Sequence, residues 1–163
     1  MIGKKTKSIE EFWQRCRRDH KIETNDYHVS TFADPQFLDL NDPLLDLSEQ
    51  PKLVAARQKQ GTAHMLLEFE RNKVPRRKVG DYWVVPTFDN EPLFLVKVVD
   101  VYVKPFNEVP DSFAKREGEG EQTQKWWQDA HRAYFQPQCK KWGVAWREDT
   151  PTVCESFELV AMA

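Results

Sequence analysis

Leu93 to Lys104 is dense in β-branched and aromatic residues and reads as one long strand, with Tyr82 to Thr87 as a shorter strand before it and Asp89-Asn90 as the hairpin turn between them. A hairpin of this kind commits the chain to a sheet-centred fold. Two further segments extend it. After Gly61 the apolar period changes from helical to alternating, so that Thr62, His64, Leu66 and Glu68 share one face of a predicted strand and Ala63, Met65, Leu67 and Phe69 the other. Thr152 to Val160 reads as a closing strand.

Helical spacing surrounds these strands. Ser8-Ile9-Glu10-Glu11 has the form of a capping box with Ser8 as N-cap, and Ile9, Phe12, Trp13 and Cys16 line one face of a helix running to about His20. A second helix is expected from Ser48 to Lys59, burying Leu53, Val54 and Ala56. Asp111 caps a short helix through Glu117, and another runs from Thr123 to Phe135, with Pro137 following it. Between the first two helices, Glu23 to Asp46 is aromatic and acidic, interrupted by Pro35 and Pro43, and reads as an ordered loop with short helical turns. Asn72 to Lys78 is a basic, proline-containing loop, and Gly118-Glu119-Gly120-Glu121 a flexible acidic one.

Composition narrows the functional classes. The chain has 163 residues, enough for one domain with a proper core, and a formal net charge of −2. Binding to long nucleic acid draws on counterion release and favours a basic protein, so any such contact must come from a local patch or pocket. Cys16, Cys139 and Cys154 lack CxxC spacing and imply neither a disulfide framework nor a zinc site. The basic start, Met1 to Lys7, leads into a charged helix, and no stretch approaches a membrane span; a cytoplasmic protein without membrane contact is the expectation.

Several side chains carry possible chemistry. Lys59-Gln60-Gly61-Thr62 places a lysine and a threonine across a helix-to-strand turn that can bring both into one pocket. A lysine becomes a base when its ammonium is destabilised, and a threonine hydroxyl becomes a nucleophile beside such a base. On local sequence alone the ordinary reading prevails: Lys59 a solvated helix-end cation, Thr62 a strand starter. Glu117 can hold an ammonium, accept a proton or orient a water, while Glu117, Glu119 and Glu121 together can gather a divalent cation. Nothing local separates these three from a solvated acidic loop. The histidines, His20, His28, His64 and His131, lack metal-ligand spacing, and only His64 shares a predicted face with Thr62. Arg71, Lys73, Arg76, Arg77 and Lys78 form a basic loop able to meet phosphate or to serve as a solvated connector.

In order along the chain, Lys59-Gln60-Gly61-Thr62-Ala63, the Val79-Gly80-Asp81 turn with its following strand, Val98 to Phe106, Phe113 to Glu121, Trp127 to Phe135 and Val153 to Phe157 together resemble the ASCH domain family, a branch of the PUA-like superfamily. The resemblance spans roughly Leu53 to Val160. It implies an α+β fold, a small mixed β-barrel flanked by helices, with a cleft beside the barrel. It also implies a single domain over 1–163, with an N-terminal helix and inserted loop over 1–47 and a core over 48–163.

Some members of that family are amidohydrolases that deacylate N4-acylated cytidine, others have been described as ribonucleases, and many are presumed RNA binders. The amidohydrolase Lys-x-x-Thr falls on Lys59 and Thr62, and Ala-x-x-Glu on Ala114 and Glu117. The resemblance thus implies a hydrolase with Thr62 as nucleophile, Lys59 as proton carrier and Glu117 positioning Lys59 or a water, needing no metal or other cofactor. Its substrate is a modified nucleoside, with His64, Tyr27, Phe32, Arg76 and Arg77 as substrate-binding candidates. The chain is expected to be a monomer or homodimer. A ribonuclease or RNA-binding module using the same cleft is the alternative, recruiting the Arg71 to Lys78 loop. His64 stands where small amidohydrolases can carry arginine.

Overall fold

Asn90 takes a left-handed φ of 64° and turns the chain between β3 (Tyr82–Pro86) and β4 (Pro92–Pro105), as the Asp89-Asn90 pair predicts. The structure, a computed structural model, describes residues 1–163. With β1 (His28–Val29), β2 (Gly61–Met65) and β5 (Pro151–Met162), the hairpin forms one five-stranded sheet in the order β1-β3-β4-β5-β2. β1 runs parallel to β3 and the other neighbours pair antiparallel, so the sheet is mixed. Register shifts at Leu95/Val96 and Val98/Asp100 bend the long β4–β5 ladder, as inserted residues do. The result is barrel-like but open, with β1 and β2 as its edges. Five helices flank it: α1 (Lys7–Asp19), α2 (Gln50–Ala55), α3 (Leu66–Asn72), α4 (Asp111–Glu117) and α5 (Gln124–Lys141). The α+β class and barrel-like sheet expected from the sequence are present. No helix is long and apolar enough to cross a membrane.

Strand alternation sorts the core. Val84 and Leu95, opposite each other in the hairpin, pack under Ile9, Phe12, Trp13 and Cys16 of α1. Their neighbours Trp83, Val85, Phe94 and Val96 point to the opposite face and meet Phe32, Val54 and Phe157. Full burial of each large apolar side chain contributes roughly 1.5–3 kcal/mol, so α1 is held by its one apolar stripe. A third cluster joins Ala63 and Met65 of β2 to Phe113 and Ala114 of α4 and Trp127, Tyr134 and Phe135 of α5. This third cluster fixes β2 against both helices, and a cavity lined by Ala63 and Tyr134 lies at its edge.

Five local expectations need correction. His28 and Val29, in the segment expected as a loop with helical turns, form β1, because they pair with Trp83 and Val84 of β3, partners that local sequence cannot show. The cap of α1 is Thr6, whose extended backbone starts the helix two residues early and whose hydroxyl accepts from the Ile9 N–H at 3.3 Å. α2 is shorter than expected because Arg57 adopts a φ of 58°, which turns the chain out of the helix. β2 ends at Met65, and Leu66 to Asn72 form α3; alternation cannot tell a short apolar strand from a helix turned inward at Glu68 and Phe69. α5 continues through Pro137 to Lys141, because Gln138 and Cys139 beyond the proline are buried and offset its missing hydrogen bond.

Candidate functional site

Lys59 enters the interior because the chain leaves α2 before reaching it. The backbone N–H groups of Gln58 and Lys59 both donate to the Leu53 carbonyl, closing the helix end, and the Lys59 side chain then runs inward, 2% exposed. It is therefore no solvated helix-end cation. Its ammonium donates to the Gly61 carbonyl at 2.8 Å and to the Glu119 carboxylate, and sits 5.2 Å from the Phe32 ring centroid. Three residues on, Thr62 is buried on β2 opposite Glu155 of β5.

The C-terminal turn of α4 brings Glu117 to the same place. Gly118 ends that helix with a φ of 71°, and its hydrogen lies where a methyl would meet the Gln58 carbonyl oxygen at 2.3 Å. Gln58 Nε2 donates to the Gly118 carbonyl at 2.7 Å, and the Gln60 N–H to the Arg116 carbonyl at 2.9 Å. A Cβ on Gly61 would come within 3.3 Å of the Glu117 nitrogen. The two segments are thus sewn together at van der Waals distance, and Lys59, Thr62 and Glu117 line one cavity of about 50 Å³.

Glu117 is buried beside an aromatic stack. Its Oε2 accepts from Trp127 Nε1 at 3.0 Å and lies 3.4 Å from His131 Nε2, while His131 stacks on Trp127 with centroids 4.1 Å apart. Burial pushes the Glu117 carboxyl up, but His131 and Lys59 charges and the hydrogen bonds of His131 and Trp127 outweigh it and hold the group below the ordinary carboxylate range. Burial likewise pushes the His131 imidazole down, and the Glu117 charge and hydrogen bond with the Trp127 carbonyl raise it above its ordinary value. Each group therefore favours the charged form of the other. Glu117 Oε1, buried, has no partner and remains a free acceptor at the cavity.

Sequence reasoning missed Trp126 and Gln50, left Glu119 undistinguished from Glu117 and Glu121, and gave His131 no part in the site. Glu119, not Glu117, directly holds Lys59, and Gln50 Nε2 donates to the same Glu119 oxygen at 3.0 Å. Glu119 and Glu117 face different cations, and no three His, Cys, Asp or Glu side chains converge to hold a metal ion. His131 sits in the quoted Trp127 to Phe135 stretch, four residues from Trp127, one helical turn that puts both on one face. That spacing was the available signal for it.

The remaining predicted binding residues divide. Phe32 lines the cavity. His64 is fully buried outside it, its Nε2 2.6 Å from the Phe32 carbonyl, and burial together with the N-terminal and Arg77 charges holds its imidazole well below its ordinary value. Tyr27 belongs to the α1 core, stacked on Trp13 and donating to Glu10 at 2.6 Å. Arg76 is exposed. Arg77 is buried, forked onto Glu155 at 2.8 and 2.5 Å, bonded to Ser30 at 2.9 Å and lying 3.8 Å over the Trp83 ring. It is a core cation, closed to phosphate.

The ASCH domain family model matches residues 44–161. No protein with a curated description matches the chain. Among solved structures, an ASCH domain from Lactobacillus crispatus superposes with a TM-score of 0.74 at 24% identity, over 94% of this chain and 91% of that one. Protein EF3133 from Enterococcus faecalis superposes with a TM-score of 0.78 at 25% identity, over 96% of this chain and 90% of that one.

Proposed function

The chain belongs to the ASCH domain family, a PUA-like fold associated with RNA binding or hydrolase activity, and on that premise we propose that it is an amidohydrolase removing the acyl group from N4-acylated cytidine compounds. The observation that carries the reading is the convergence of the buried Lys59 and Thr62 with Glu117, from a segment far away in sequence, on one cavity. Its volume suits the amide end of a substrate, with the nucleoside lying at the mouth against the half-buried Trp126 ring.

In this reading the Lys59 ammonium passes a proton to Glu119, its ion-pair partner, as the substrate enters. The freed amine takes the Thr62 hydroxyl proton while Oγ1 attacks the acyl carbonyl carbon, forming a tetrahedral intermediate. Collapse breaks the C–N bond, Lys59 delivers the proton to N4, and cytidine leaves an acyl ester on Thr62. A water then loses a proton to Lys59 and attacks the ester; the acid departs and Thr62 regains its proton. Glu117 Oε1, the unpartnered acceptor, receives the N4–H of the bound amide and afterwards a hydrogen of the deacylating water. His131 and Trp127 keep that carboxylate ionised and fixed.

A second reading, a ribonuclease or RNA-binding module, rests on the exposed side chains of Arg71, Lys73, Arg76 and Lys78. Arg77 does not add to that patch. Cytidine release from N4-acetylcytidine, followed with and without EDTA and across salt concentrations, separates the two. The amidohydrolase turns over independently of chelator and salt, and Lys59→Ala or Thr62→Ala lowers kcat by about 10²–10⁴-fold. Absence of turnover with every acylcytidine tried, together with salt-sensitive RNA binding lost on Arg76→Glu, favours the second reading.

A further inference from the structure

A larger cavity, about 260 Å³, adjoins the polar one and shares Phe32, Ala33, Leu38, Leu47 and Gln50 with it. Its far wall is the β3–β4 hairpin, through Val85, Phe88, Leu93 and Phe94, and its rim carries the exposed Leu40 and Ser48. No ionisable side chain lines it. Of the hydroxyls there, Thr31 is already engaged, accepting from the Ile2 N–H and donating to the Ala33 carbonyl. A cytosine ring, a ribose or a phosphate would leave its polar groups unpaired in such a space, at a cost that hydrocarbon does not incur.

Gln50 stands on the boundary. Its amide nitrogen donates to Glu119 on the polar side, and the residue borders the apolar cavity on the other. A substrate whose amide lies beside Lys59 and Thr62 therefore has an apolar chamber next to the reacting carbonyl. We propose that this chamber is the acyl subsite, and that the preferred substrates are N4-acylcytidines with long or aromatic acyl groups rather than acetyl. The proposal rests on the amidohydrolase reading for the identity of the group, and on the contiguity and lining of the two cavities for its place. Each methylene fully buried there strengthens binding about fourfold.

The test measures affinity, so that it stands apart from turnover. N4-acetylcytidine and N4-octanoylcytidine are titrated calorimetrically into the full-length Thr62→Ala protein, with and without Ser48→Trp, which fills the chamber from an exposed position; Leu40→Asp places a charge at the same rim. The octanoyl compound is expected to bind tighter by about tenfold or more, and Ser48→Trp and Leu40→Asp to remove that preference while leaving the melting temperature and acetyl affinity unchanged. Equal affinities, no detectable binding of the octanoyl compound, or a preference that survives Ser48→Trp overturns the proposal. Hydrolysis by the parent protein is scored separately: octanoyl binding in the chamber without hydrolysis of either compound defeats the amidohydrolase reading and leaves the apolar subsite standing.

Discussion

At the scale of single residues, the sequence shows which side chains are reactive but not which are free to react. Arg76 and Arg77 are neighbours in a basic loop, yet one is exposed and the other is a buried cation between Glu155, Ser30 and Trp83. Removing one member of such a pair strands the other charge in the interior. Arg77→Ala is expected to destabilise the fold by about 3–5 kcal/mol, read from urea denaturation, whereas Arg76→Ala stays within about 0.5 kcal/mol. Similar small losses for both would contradict the buried pairing. The histidines make the same point through pH. His64 is held well below its ordinary value by burial and nearby cations, so acid pH protonates the unfolded chain before the folded one, and stability falls below about pH 6.5 on its account. His131 is raised, so its contribution is fully present below that pH and is lost as pH rises through its folded value; Glu117, lowered, contributes above its ordinary value and loses that contribution as pH falls through its folded value. The pairing is therefore strongest between these limits. Imidazole resonances followed by NMR should show His131 titrating at higher pH than an ordinary imidazole and His64 at lower pH. Coincident titrations of these two would contradict both environments.

At the scale of elements, the β3–β4 hairpin, β5 and the helices with caps and apolar stripes were legible, because turn residues and periodicity act locally; β1, inside a segment that reads as a loop, was not. α1, the β3–β4 hairpin, α4 and β5 all lie within a few residues of expectation. The failures are places where tertiary packing decides. Leu66 to Phe69 has no local reason to leave the strand, and Pro137 no local reason to stay helical; buried partners on other elements settle both. The junction of α4 with the 58–61 segment depends likewise on close approach. Gly118 and Gly143 both have left-handed backbones, with φ of 71° and 67°, but only Gly118 faces a backbone atom within 4 Å. Gly143→Ala should cost about 1–2 kcal/mol, the conformational penalty alone. Gly118→Ala should cost clearly more and also abolish catalysis, since Glu117 and Glu119 move with it; equal costs in thermal denaturation would mean that the junction does not hold the site.

At the scale of the whole molecule, what the sequence carried about the site was its membership and not its wiring. Lys59, Thr62 and Glu117 meet, but the hand on Lys59 is Glu119, and Glu117 belongs to His131 and Trp127. A Gly-Glu-Gly-Glu run cannot say which carboxylate turns inward, because that is set by the left-handed turns at Gly118 and Gly120 and by what they pack against. In the proposed reaction the assembled cavity makes Thr62 a nucleophile. Acid-quenching the protein during turnover of N4-acetylcytidine and mapping acylated peptides by mass spectrometry should reveal an acetyl ester on the peptide carrying Thr62, retained in Thr62→Ser and absent in Thr62→Ala and Lys59→Ala. Undiminished turnover by Thr62→Ala, with no acyl group trapped on the protein, would contradict that role.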